Sequence, residues 1–254
     1  FCKQFTKTVP HKTNRQSRVV IRNLKAKHKL DPLFTPFTNL ATRDAIMAAK
    51  SSSAVGPDGL TAIHLKHIGP RAINFLTALF NISVCKAELP AIWKAAVIIP
   101  IQKPGKPADM GSSYRPISLL SPAVKVLERL LLPIVTDALP KSNTQHGFAA
   151  NHSCTTALLP IATKVAIGFN DAKPARRSAL CAVDLSKAFD CIDHTLLLEQ
   201  ISSTDLHPNI IRWLASYIRG RTARCLYGSS LSIQMIIRSG VPQGSVLSPA
   251  IFNF

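Results

Sequence analysis

The chain has 254 residues, 46% of them hydrophobic and 17% charged, which is apolar enough for a core without disulfide staples and too apolar for a disordered tail. No stretch reaches the ~18 uninterrupted apolar residues of a helical membrane span; the richest, residues 127–139, is broken by Glu128, Arg129, Pro133 and Asp137. Lysine and arginine outnumber acids 31 to 13, and the net charge of +18 suits a polyanion, nucleic acid above all.

Taken in order, residues 1–37 open with nine basic side chains and no acid before position 30, then meet Asp31-Pro32 and Thr35-Pro36. This reads as a basic extension or linker over residues 1–40, either a nucleic-acid arm or a solvated one. A helix is expected from about Thr42, a tight loop over SSSAVGPDG (51–59), and a longer helix over 71–85 with Ile73, Leu76 and Phe80 on one side. Residues 95–101 (AAVIIPI) read as a buried strand, 103–107 as a turn and 114–118 as extended chain. Ser121-Pro122 should open a helix that Pro133 kinks and Pro140 ends, and Ser153 can cap the next. After a polar loop at 171–178, residues 179–183 (ALCAV) have strand character and deliver Asp184 at the strand's end. Helices are expected over 194–201 and 208–219, with Gly220 as the stop, then a hairpin of 223–227 with 231–238. The turn SGVPQGS (239–245) leads into a last helix.

The acids are as uneven as the bases. Asp184, Asp190, Asp193, Glu199 and Asp205 put five of the thirteen into 22 residues, and an acidic island in a basic chain suggests a cation site. A carboxylate at the end of a buried strand needs a cation or a turn to serve; Mg²⁺ beside phosphates and Asp-capping of the turn are both open for Asp184. The six cysteines, at 2, 85, 154, 181, 191 and 225, contain no Cys-x-x-Cys pair and read as reduced thiols of an intracellular protein, nuclear or cytoplasmic, not secreted. Neither His64 with His67 nor His146, His152 and Cys154 makes a familiar zinc set.

AVDLSKAFDCIDH (182–194) resembles motif A of the reverse transcriptases of non-LTR (LINE-type) retrotransposons, and other segments agree in the same order. SSSAVGPDGL resembles the family's Gly-Pro-Asp-Gly motif, and WKAAVIIPIQKPGK with SSYRPISLLSPAVKVLERLLL resembles its fingers motifs. QHGFAANHSCTTAL is similar to the segment before motif A, and SGVPQGSVLSPAIFNF resembles motif B. The resemblance implies an α/β (α+β) right-hand polymerase fold, with fingers over 41–170 and the first part of the palm over 171–254, the thumb being absent. It implies RNA-directed DNA polymerisation with an RNA template, a DNA primer, dNTPs and Mg²⁺ as partners.

Carried over by residue, the resemblance implies a two-Mg²⁺ nucleotidyl transfer in which Asp184 is the catalytic ligand of both ions, with the Leu185 backbone carbonyl as a further ligand. Arg115 and Lys103 are implied triphosphate contacts, although Lys103 reads equally well as a solvated turn lysine. Phe189 matches the steric gate that excludes a 2′-hydroxyl, or is a packed core ring; Gln243 matches the motif B glutamine near the nascent base pair. Gly240 and Gly244 either let the backbone approach template and nucleotide or answer a simple turn. Asp190 reads as structural, holding the turn.

Two departures matter. Ala149 stands where relatives carry the Arg of QHGFR, and the Ala-Asp-Asp of motif C has no counterpart in residues 1–254. The expectation is a piece of a longer protein, inactive alone, with apolar surface exposed at Ile251, Phe252 and Phe254. The alternatives are a group II intron maturase-like protein and a non-catalytic basic RNA-binding module.

Overall fold

The computed structural model describes residues 14–140, 142–170 and 177–254. Lys3, Lys7, Lys12 and most of the polar loop at 171–178 lie outside the described residues. Two compact units emerge, a large one built from the chain up to Leu139 and again from Ala188 to Phe252 with Phe254, and a small one from Pro140 to Lys187 with Asn253.

The large unit is mixed α/β. Its helices in chain order are α1 (Asn14–Lys27), α2 (Asn39–Met47), α3 (Ala62–Lys66), α4 (Pro70–Cys85) and α5 (Ala91–Lys94), followed by strands β1 (Ala95–Gln102) and β2 (Tyr114–Leu119) and helix α6 (Pro122–Asp137). The small unit contributes α7 (Cys154–Asn170). Back in the large unit come α8 (His194–Ser202), α9 (Pro208–Ile218), β3 (Arg221–Tyr227), β4 (Ser230–Leu231), β5 (Met235–Ile237) and α10 (Ser248–Phe252).

Local chemistry explains the helix ends. The Thr38 hydroxyl accepts from the Ala41 amide, Asp193 accepts from the amides of Thr195 and Leu196, and Pro70, Pro122 and Pro208 stand at first helical positions where the missing N–H costs nothing. Gly220 ends α9 with φ +66°, a conformation that spares only glycine a steric cost.

One sheet of five strands runs in the order β2-β1-β3-β4, with β5 also on β3. β1 pairs antiparallel with β2, Ile99 opposite Ile117, and parallel with β3, Ile98 opposite Cys225. The parallel pairing joins segments about 125 residues apart and was not foreseen. Helices α4, α6, α8, α9 and α10 share the main core, where Phe80, Leu89, Leu127, Leu131, Trp213 and Tyr217 are at most 1% exposed. Burying each such side chain is worth about 1.5–3 kcal/mol, so this cluster is what holds the helices together.

The basic extension is not a loose arm over its described part. Helix α1 lays Val20, Ile21 and Leu24 on the core while Arg18, Arg22, Lys25 and Lys27 stay exposed. The Lys27 ammonium donates to the Ser202 carbonyl at 2.8 Å, and buried Asn209 exchanges two 2.8 Å bonds with the backbone of Asp31. The charge density masked an apolar stripe at helical spacing. The chain end also departs from expectation: Ile251 is fully buried, and Phe252 stacks on Phe189 with ring centroids 5.0 Å apart.

In the small unit, the expected strand at 179–183 is absent. Those residues are exposed and form neither helix nor strand, and no strand among the described residues pairs with them. A strand whose N–H and C=O groups find no neighbour has nothing to hold it extended. Helix α7 keeps Leu158, Leu159, Ile167 and Phe169 exposed within its own unit's description.

Candidate active site

The site grows around the turn of residues 239–247, which three segments of the large unit clamp. On one side lies the 3₁₀ turn Ala188–Asp190 and the residues after it. The Gly240 amide donates to the Ile192 carbonyl at 2.8 Å, the Val241 amide to the Phe189 carbonyl at 2.9 Å, and the Gly240 carbonyl faces His194 Nε2 at 2.7 Å. Gly240 has φ +77°, and a Cβ there would stand 2.6 Å from the Phe189 oxygen and 2.8 Å from Asp190 Cα. Only hydrogen fits.

On the second side is β2. The Ser118 amide donates to the Gln243 carbonyl at 2.6 Å, and a Cβ on Gly244, whose φ is +112°, would meet the Ser118 carbonyl at 2.9 Å. Close protein backbone thus requires a glycine at both positions, whatever else approaches them. The strand carrying Arg115 and the turn carrying Gln243 are bonded neighbours.

On the third side is the core. Glu128 of α6, fully buried, accepts from the Val246 amide at 2.6 Å and from the Tyr217 hydroxyl at 2.7 Å. Burial pushes the Glu128 carboxyl up, while these two bonds and the Arg221 guanidinium pull it back. Tyr217, buried beside that carboxylate, is pushed well above the usual phenol range, first by desolvation and then by the Glu128 charge. Sequence reading overlooked Glu128, yet it had a signal: Val124, Leu127, Leu131 and Val135 form an apolar stripe and the acid sits inside it.

The expected site residues divide as follows. Arg115 is exposed on β2, opposite Ile101 of β1. Lys103, just after β1, donates its ammonium to the Ser112 carbonyl at 2.9 Å, and its amide bonds the Ser113 carbonyl at 2.7 Å, so it braces the turn between the two strands. Phe189 is half-buried, packed against the core and stacked on Phe252. Gln243 is half-buried and its amide donates to Asp190 Oδ1 at 2.8 Å, which gives Asp190 the turn-holding role expected of it. Gly244 is exposed. These residues belong to the large unit; Asp184 and Leu185 belong to the small one, both exposed, in the irregular stretch 177–185.

The acidic island resolves into separate duties rather than a cage. Asp190 takes Gln243 and Asp193 caps α8; among the described residues no group of three or more His, Cys, Asp or Glu could hold a metal. Asp184 offers one exposed carboxylate, a hard oxygen donor of the kind a divalent cation takes alongside water and phosphate.

Residues 101–254, which contain every expected site residue, match the family described as reverse transcriptase (RNA-dependent DNA polymerase). The probable RNA-directed DNA polymerase from transposon X-element of Drosophila melanogaster is 33% identical over 228 residues, covering 88% of this chain and 25% of the relative. The corresponding protein from transposon BS of the same fly is 31% identical over 214 residues, 83% of this chain and 23% of the relative. The RNA-directed DNA polymerase from mobile element jockey of Drosophila funebris is 30% identical over 244 residues, 93% and 26% respectively. The chain spans about a quarter of the length of the curated relatives it matches. With half its length and more under one family, and relatives from the X-element, BS and jockey elements, the chain belongs to the reverse transcriptase family, on its non-LTR, LINE-type retrotransposon side.

Proposed function

We propose that the protein carrying this chain copies an RNA template into DNA by adding dNTPs to a DNA primer, and that residues 41–170 and 171–254 act as its fingers and the first part of its palm. The observation that carries the reading is the 2.6 Å bond from the Ser118 amide to the Gln243 carbonyl. It binds the Arg115 strand to the Gln243 turn, two segments over 120 residues apart whose resemblance assigns them to the same nucleotide.

In this reading Arg115 grips the triphosphate, its planar fork suiting several phosphate oxygens, and Lys103 adds charge from the adjoining turn. Phe189 stands against the sugar and rejects a 2′-hydroxyl by volume. Gln243, oriented by Asp190, lies along the nascent base pair beside Gly244. Asp184, with the Leu185 carbonyl, would hold the two divalent ions, Mg²⁺ in our reading, whose charge would lower the pKa of the primer 3′-hydroxyl and screen the departing pyrophosphate. The primer 3′ oxygen then bonds the α-phosphorus as the bond to the β-phosphate bridge breaks. The exposed cations of α1 face the RNA, and a groove of about 550 Å³ lined by Arg18, Lys25, Lys86, Arg212 and Arg219 against one acid, Glu88, offers a path for its phosphates. We place the protein in the nucleus or cytoplasm, where such templates and primers occur.

The test is primer extension by the full-length protein on RNA, with wild type, Asp184→Ala and Arg115→Ala. Asp184→Ala should lose roughly 10³-fold or more in rate, and Arg115→Ala should raise the dNTP KM. Undiminished extension by the Asp184 variant would overturn the reading, and RNA binding without any metal-dependent extension by wild type would favour a non-catalytic binding module.

A further inference from the structure

A carboxylate as deeply buried as Glu128 is an expensive core residue, because its desolvation costs several kcal/mol unless both oxygens are met. Both are met, and by different parts of the fold. The Tyr217 hydroxyl, from α9, donates to Oε1 at 2.7 Å; the Val246 amide, from the turn, donates to Oε2 at 2.6 Å. The relay extends further, since the Ser245 hydroxyl donates to the Tyr217 oxygen at 2.7 Å and accepts from the Leu247 and Ser248 amides at 3.1 Å each. Tyr217 is itself pinned: Arg221 lies 5.0 Å over its ring and donates Nη1 to its backbone carbonyl at 3.1 Å.

An apolar side chain of similar volume would fill the same space but would leave the Tyr217 hydroxyl and the Val246 amide without their acceptor. What leucine or methionine could not do is accept a backbone amide two residues after Gly244. The turn is otherwise held at Gly240 by Phe189 and Ile192, and at Gln243 by Ser118; beyond Gly244 its backbone is anchored to the core by this carboxylate.

We propose that Glu128 is a positioning residue for the nucleotide-facing turn, bridging Tyr217 of α9 and the Val246 amide so that Gln243 and Gly244 are presented at one fixed height. The proposal rests on the reading of Gln243 and Gly244 as nucleotide contacts. Glu128 touches no substrate and acts through the backbone that follows Gly244. Burial raises the Glu128 carboxyl, and the bonds from Tyr217 and Val246 oppose that shift without reversing it.

The experiment uses the full-length protein and measures KM and kcat for a dNTP in primer extension, with amide hydrogen exchange over residues 244–248. Glu128→Leu keeps the volume and removes both acceptors; Glu128→Gln keeps one oxygen for the Val246 amide and turns a donor toward the Tyr217 oxygen, whose hydroxyl then donates to Ser245 instead. Expected for Glu128→Leu is a KM raised about tenfold with a smaller change in kcat, together with faster exchange at Val246. Glu128→Gln should restore KM to within about threefold of wild type. A Leu variant with wild-type KM, whatever its melting temperature, overturns the proposal. Should the Leu variant not fold, Tyr217→Phe reads the same quantity: raised KM supports the bridge, and unchanged KM refutes it. Gln243→Ala, run alongside, separates the two claims. If it raises KM while the Glu128 variants do not, this inference alone falls; if it leaves KM unchanged, the assignment of the turn to the nucleotide falls and takes this inference with it.

Discussion

Replacing Gly240 by alanine isolates how tightly the turn is pressed against the segment after Asp184. At φ +77° any L-residue bears roughly 1–2 kcal/mol of backbone strain. The added carbon would also stand 2.6 Å from the Phe189 oxygen and 2.8 Å from both the Asp190 Cα and carbonyl oxygen, all backbone atoms that cannot swing aside as a side chain end would. Overpacking of this kind adds roughly 1–3 kcal/mol, for a total of about 2–5. Gly228 supplies the control, because it has φ +58° in the β3–β4 connection and nothing within 4 Å of its would-be Cβ. Gly228→Ala should therefore show the strain alone. Thermal unfolding of the purified chain is a suitable readout, since each kcal/mol moves the midpoint about 2–4 °C in a protein of this size. If the two variants agree within about 0.5 kcal/mol, the close approach of Gly240 to Asp190 is not real and the clamp described for the turn is wrong.

Asp193→Ala removes the acceptor for the Thr195 and Leu196 amides at the start of α8 and should lower stability by about 0.5–2 kcal/mol in urea titration; no change would mean that the cap is solvated instead. Glu128→Gln should alter the pH dependence of stability. The unfolded carboxyl titrates near about 4.3, burial holds the folded one higher, and Tyr217, Arg221, Lys125 and Arg129 face it, so the wild type carries more protons folded than unfolded in that window. Its stability relative to Glu128→Gln should accordingly be greatest below the ordinary carboxylate value and fall as pH rises through the raised one, and a difference flat with pH would refute this. Phe189→Ala in the full-length protein should cut the preference for dNTP over rNTP by about tenfold or more, as loss of a volume gate requires; unchanged preference with lowered stability would leave the ring only its stacking on Phe252. The purified 254-residue chain should incorporate no dNTP on a primed RNA, and measurable metal-dependent incorporation would contradict that.

What the sequence disclosed followed the range of the forces involved. Helix limits at Thr38, Pro70, Pro122, Asp193 and Gly220 depend on side chain and backbone within one turn, and they are readable there. The strands 95–102 and 114–119 announce themselves by composition. Their neighbour does not: the parallel register of Ala96 against Ala223 depends on packing between distant segments that no local pattern encodes. The same cause acts in reverse at 179–183, whose apolar run predicted a strand that has no partner among the described residues. Propensity proposes a strand, but only a neighbouring ladder makes one. In α1 the error was one of weighting. Its five charges drew attention from Val20, Ile21 and Leu24, which pack on the core.

The candidate site teaches a more specific lesson about its glycines. Gly240 and Gly244 look, in a nucleotide-binding motif, like room made for a ligand, yet each hydrogen in question faces this chain's own backbone, at Asp190 and at Ser118. Activity lost on substituting either one would follow from displacement of the turn whether or not a nucleotide ever touches it. Gln243 is different. Its backbone carbonyl is engaged by Ser118 and its amide nitrogen by Asp190, so shortening the side chain leaves the turn's main-chain anchors intact. A rise in dNTP KM on Gln243→Ala, with the unfolding midpoint unmoved, would therefore report on the side chain itself, and that substitution rather than any glycine variant is where the assignment of this turn to the nucleotide stands or falls.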